Sequence, residues 1–136
     1  MGLVYAEIEL SNPSSPDLSP MAQTALVDSG ATWLVVPMHV ANQLRLQVLE
    51  EREITLADGA KRVVPYAGPV RVRFGNRNAF VGALVMGDEV LLGAIPMEDM
   101  DVLVHPLSRM LIANPQNPNI PGAMAKGVRP AREDDE

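Results

Sequence analysis

Asp28 is the residue of this chain best placed to do chemistry. It closes the apolar run Ala25-Leu26-Val27 and is followed by Ser29, Gly30 and Ala31. Burial disfavours the charged form of a carboxyl group and raises its pKa. An acid pinned at the end of an apolar strand is therefore a candidate for function rather than for solubility. Gly30 permits a tight turn and the close approach of another backbone or a ligand. The same Asp-Ser-Gly tripeptide also makes an ordinary turn between two strands, and on its own it does not choose between the two.

Other chemistries find little support. The chain has no cysteine, which excludes disulfides, thiolate zinc sites and cysteine nucleophiles. His39 and His105 are its only histidines and lack the HExxH spacing of a metal helix, so no metal is expected. Ser29 has no GxSxG frame and no evident histidine base, which argues against a serine nucleophile. The glycines are dispersed and cradle no phosphate, and Trp33 and the eight methionines read as core or interface, so no cofactor is expected. A net charge of -6, with basic residues scattered as in Lys61-Arg62, Arg71 and Arg73, argues against a nucleic-acid partner.

The elements that must position Asp28 are mostly strands. With 136 residues and 47% hydrophobic content, the chain suffices for one domain with a real core. Val4, Ala6, Ile8 and Leu10 alternate with Tyr5, Glu7 and Glu9, the period of a half-buried strand. Residues 11–20, rich in Pro and Ser, predict a loop. Residues 22–27 and 32–36 predict two strands on either side of Asp28–Ala31. Pro37 suits the first position of a short helix, with Val40, Ala41 and Leu44 inside and an end near Leu46. Asp58-Gly59 predicts a hairpin with a two-residue type I′ turn. Residues 70–74 alternate up to a turn at Gly75-Asn76, and residues 79–86 predict a strand buried on both faces.

After a turn at Gly87-Asp88 comes Val90-Leu91-Leu92-Gly93. Pro96 then predicts a second helix with Glu98 and Asp99 in its first turn and Met97, Met100, Leu103 and Val104 on one face. Residues 110–113 predict a last strand. The sum is a single, predominantly β domain over 1–114. A flexible acidic tail is expected over 115–136, which holds four prolines and ends in EDDE. Glu7 and Glu9 interrupt any leader-like apolar core, and no apolar run approaches the ~20 residues of a membrane helix. A soluble, cytoplasmic protein without a membrane partner is expected.

The order of these parts carries more than any one of them. Two apolar residues and Asp28-Ser29-Gly30-Ala31, then a strand, then much later Val90-Leu91-Leu92-Gly93-Ala94-Ile95 and a short helix, resemble the retropepsin-like aspartic proteases. The stretches ALVDSGATWLVVP, LADGAKRVVPYAGPV and VMGDEVLLGAIPMEDMDVLVHP look like the small prokaryotic clan AA members of that group. The resemblance implies an all-β, retropepsin-like acid-protease barrel with one or two short helices in a single domain.

It also implies an aspartic endopeptidase, whose chemistry needs two carboxylates sharing one proton. Only one such motif is present: Asp58, Asp88, Asp99 and Asp101 are not followed by Ser/Thr-Gly. The second carboxylate is then Asp28 of another copy, in a homodimer whose two-fold axis brings identical residues face to face.

In the catalytic loop, the resemblance implies that the Ser29 hydroxyl braces the two loops and that Gly30 aims backbone N–H groups at the carboxylates. Ala31 stands where pepsin-like enzymes more often carry Ser, which implies activity nearer mildly acidic or neutral pH than strong acid. Ala57, Asp58, Gly59 and Ala60 match a flap over an extended polypeptide substrate that Ala31 also touches. Residues 3–7 and 110–113 match the terminal strands that cement the dimer. The alternative is a homodimeric peptide-binding or scaffold module of the same fold with little or no turnover.

Overall fold

Alternation places Ala6, Ile8 and Leu10 of β1 (Val4–Ser11) in the core while Tyr5 and Glu7 face out. The computed structural model describes residues 2–124. β1 pairs antiparallel with β2 (Met21–Val27) along the whole length of β2, from Val4 opposite Val27 to Leu10 opposite Met21. The following elements are β3 (Leu34–Val36), α1 (Met38–Gln43), β4 (Gln47–Thr55), β5 (Lys61–Phe74), β6 (Arg77–Val85), β7 (Val90–Leu92), α2 (Ala94–Met100), β8 (Val102–Val104) and β9 (Leu111–Ala113).

Six strands close into a barrel in the order β1-β2-β7-β3-β6-β5, with β5 returning to β1 through Glu9–Ser11 and Arg71–Arg73. Among the described residues β4 lies outside the ring and pairs only with β5, while β8 and β9 form a separate two-stranded sheet. The fold is all-β with two short helices. Leu10, Leu34, Val36, Val70, Val72, Val90 and Leu92 are fully buried inside it. Val40 and Leu44 of the α1 region and Met97 and Met100 of α2 join the same core. No helix among the described residues is long and apolar enough to cross a membrane.

Several boundaries differ from the sequence expectations for local reasons. α2 starts at Ala94, with Gly93 as its N-cap, so Pro96 lies inside the first turn and not at its opening. It stops at Met100 because Asp101 takes the left-handed conformation at φ 55°. Leu103 and Val104 therefore belong to β8 rather than to the helix face they were expected to extend. β6 is buried on both faces only at Ala83, Leu84 and Val85; Phe80 is largely exposed.

The hairpin at Asp58-Gly59 exists, but its turn is of another type. The Leu56 N–H donates to Ala60 O at 2.8 Å and the Gly59 N–H to Leu56 O at 2.9 Å, enclosing three residues. Only Gly59 has a positive φ, 86°, which is the type I turn followed by a left-handed glycine.

Arg77 is an unexpected core residue, with its side chain fully buried at the start of β6. It donates to Met100 O at 3.4 Å and to Asn117 O, and sits 3.8 Å from the Asp101 carboxylate. That carboxylate also accepts from Asn114 Nδ2, Asn117 Nδ2 and the Gly122 N–H at 3.0, 2.7 and 2.8 Å. The first residues of the segment expected as a flexible tail are thus tied down on Asp101, whereas residues 125–136 lie outside the described residues.

Candidate functional site

Asp28 sits where the barrel's topology is least local. β2 and β3 are consecutive in the chain yet are not neighbours, because β7 runs between them, parallel to β2 and antiparallel to β3. The connection 28–33 must therefore arch over the end of β7. The Asp28 N–H donates to Leu92 O at 3.0 Å, continuing the β2–β7 ladder by one residue. On the other side, the Ala94 N–H donates to Ala31 O at 2.8 Å and the Ile95 N–H to Thr32 O at 2.9 Å. The first orphan N–H groups of α2 are thereby satisfied by the loop that carries Asp28.

Gly93 makes this crossing possible. A Cβ there would lie 2.4 Å from Trp33 O, 2.8 Å from Ala31 O and 2.9 Å from the Thr32 carbonyl carbon. No side chain fits between the loop and the end of β7. The distant Leu-Leu-Gly element and the Asp-Ser-Gly loop are thus one structural unit.

Within the loop, the Ala31 N–H donates to Asp28 O at 3.1 Å, and the Gly30 N–H donates to Asp28 Oδ1 at 2.9 Å. The carboxylate is thereby held by its own turn with one oxygen engaged. Strand alternation puts Asp28 on the face of Leu26, away from the buried Ala25 and Val27. Asp28, Ser29 and Gly30 are exposed in the single chain. The burial expected around Asp28 is therefore not found: the apolar run ends in the core, and the acid emerges from it. Among the described residues, no three His, Asp or Glu side chains converge to hold a metal ion.

The surface beside Asp28 is an apolar floor. Register partners share a face, and Leu26, Leu91, Val35 and Leu84 follow one another across β2, β7, β3 and β6. Tyr66 and Glu50 continue the row on β5 and β4. Leu26, Leu91 and Val35 are only half-buried, so the floor is partly open. On the other side of the loop, Ser29 lines a cleft of about 380 Å³ with Ala94, Met97, Glu98 and β8.

Ala57, Asp58, Gly59 and Ala60 form the tip of the β4–β5 hairpin, where Asp58 Oδ1 accepts the Ala60 N–H at 2.9 Å. Among the described residues no hydrogen bond joins this tip to the Asp28 loop. Asp28, Ser29, Gly30 and Ala31 therefore form one cluster and Ala57–Ala60 another.

The far end of the floor holds a group of which only Trp33 was singled out from the sequence, as core or interface. The Trp33 and Tyr66 rings meet edge to face at 5.9 Å between centroids, and the Arg52 guanidinium carbon lies 3.8 Å from the Tyr66 centroid and 4.6 Å from that of Trp33. Gly82 leaves room for this: its missing Cβ would fall 2.2 Å from the Tyr66 ring. Trp33 with Val35, Gly82 with Leu84, and Glu50 with Arg52 are two-residue steps onto the same face. This signal was present in the sequence once the register was known.

No family model matches the chain, and no curated protein matches it.

Proposed function

We propose that the protein is a retropepsin-like aspartic endopeptidase that works as a homodimer, each copy supplying one Asp28. The observation that carries this reading is the seat of Asp28. It is an exposed carboxylate on a loop arched over an inserted strand, held by the Gly30 N–H, beside a half-open apolar floor. One Asp28 ionises and accepts a proton from water while the other stays neutral and polarises the scissile carbonyl. Two like charges a few Å apart do not both ionise, which sets the two roles. The second carboxylate, and the burial that a single chain lacks, come from the partner copy.

A second copy would dock where residues 2–3 meet the β8–β9 loop. β9 lies against β1, and Arg109 Nη2 donates to Gly2 O at 3.0 Å, so the N-terminus and the β8–β9 loop adjoin. Leu3, Leu107 and Met110 are 71, 87 and 61% exposed there, an apolar set that no described residue covers. An extended polypeptide would lie along the floor beneath the β4–β5 hairpin, its apolar side chains over Leu26, Leu91 and Val35.

The deciding experiment is incubation of the purified protein with a denatured protein or peptide library from pH 3 to 8. Cleavage is expected, together with its loss in Asp28→Asn, its block by a statine inhibitor and a dimer in sedimentation. Absence of cleavage across that range, or equal cleavage by Asp28→Asn, would overturn the reading. If the uncleaved peptides still bound, the homodimeric peptide-binding module would stand in its place.

A further inference from the structure

Resting on the protease reading, we infer that Arg52 is a specificity residue that receives an acidic side chain of the substrate, about three to four residues from the scissile bond. The Arg52 guanidinium sits in the corner between two aromatic rings that stand at 73° to each other, and contact with both holds it in place. Its Nε donates to Glu50 Oε2 at 2.9 Å. Among the described residues, the two terminal amino groups have no protein acceptor, and the side chain is 29% exposed. An Arg with its head held between two rings and its end free offers the paired donors that a carboxylate accepts side by side.

Its position follows from the sheet. Arg52 stands on the same face as Glu50, at the end of the row that runs from Leu26 through Leu91, Val35 and Leu84 to Tyr66. Trp33, the nearer of its two platforms to the carboxylate, belongs to the loop that Asp28 begins. β7 separates β2 from β3, so two strand spacings of ~4.8 Å place Trp33 ~10 Å from the Asp28 end of β2. An extended peptide advances ~3.3 Å per residue and covers that distance in about three residues. Glu50 competes for the same guanidinium and is itself 57% exposed, so its carboxylate can swing aside when a substrate carboxylate arrives.

The test is cleavage-site profiling of the full chain on peptides from a denatured proteome, followed by matched synthetic peptides carrying Glu or Gln at the enriched position. Asp and Glu should be enriched three or four residues from the cleaved bond. The Glu peptide should be favoured about tenfold, through KM rather than kcat, as a charge-assisted pair formed equally in ground and transition states requires. Arg52→Gln should abolish that difference, Arg52→Glu should turn the preference toward Lys and Arg, and Glu50→Gln should deepen it. Thermal melts of each variant separate loss of folding from loss of preference. Cleavage without acidic enrichment, or enrichment that survives Arg52→Gln, would overturn this assignment alone. Absence of any cleavage would overturn it together with the protease reading.

Discussion

Replacing Gly93 by Ala tests the link between the end of β7 and the Asp28 loop. The added Cβ would stand 2.4 Å from Trp33 O, whereas carbon and a carbonyl oxygen rest at about 3.3 Å, so loop and strand must part by about 0.9 Å. The obstacles are all backbone atoms of residues 31–33, and no rotamer change relieves them. Overpacking of this kind costs about 1–3 kcal/mol. For a chain of 136 residues, an unfolding entropy of about 2.1 cal/mol/K per residue converts this into a Tm lowered by about 4–10 °C.

The same displacement stretches the bonds from the Ala94 and Ile95 N–H groups to Ala31 O and Thr32 O, and so moves Asp28. If Asp28 is the reacting group of the proposed protease, a shift near 1 Å costs about 100-fold in rate. Thermal and urea melts measure the first effect, and turnover of a peptide substrate measures the second. A Gly93→Ala protein melting within about 1 °C of the parent and cleaving at the parental rate would refute the reasoning, since the contact would then constrain nothing.

Three further outcomes are expected. Arg77→Met should destabilise by about 2–5 kcal/mol in urea melts, because Met100 O and Asn117 O lose their buried donor and Asp101 loses its cation. The Asp101 carboxyl is held below the ordinary carboxylate range, first by the Gly122 N–H, then by the Asn114 and Asn117 amides. Burial opposes this, and the Arg77 charge adds a smaller pull. Its contribution to stability is therefore complete above the ordinary value of 3.8 and lost as pH falls through the lowered one. The urea midpoints of the parent and Asp101→Asn should accordingly differ at pH 5 and converge in strong acid. Gly82→Ala should lift Tyr66 off β6 and disturb the Arg52 stack; Trp33 is the sole tryptophan, so its emission maximum should shift without a change in far-ultraviolet circular dichroism.

Elements fixed by local pattern were legible in the sequence. The alternation of residues 4–10 and the placing of Pro37 before Val40, Ala41 and Leu44 found β1 and α1 because their burial follows a single period. Met97, Met100, Leu103 and Val104 misled for the opposite reason. A short apolar run satisfies helical and strand spacing alike, and the left-handed turn at Asp101 that separates them leaves no pattern. The hairpin at Asp58-Gly59 was visible, but its turn type depends on whether Leu56 pairs with Ala60, a question of register.

Asp28, Ser29, Gly30 and Ala31 stood out because their chemistry is local. The seat beneath them was not legible from spacing, since it depends on β7 entering between β2 and β3. Arg77 was missed because a lone arginine on a strand ordinarily faces water, and its acceptors come from Met100 and Asn117, far along the chain.

The insertion of β7 also fixes when the site can exist. Asp28 is synthesised early, but the backbone that seats it arrives with residues 90–95, after most of the domain has been made. Closing so long a loop is slow and must precede the contacts that reward it. A nascent or truncated chain ending before Val90 carries the acid without its support, so the order of synthesis itself withholds the assembled carboxylate until the domain is nearly whole.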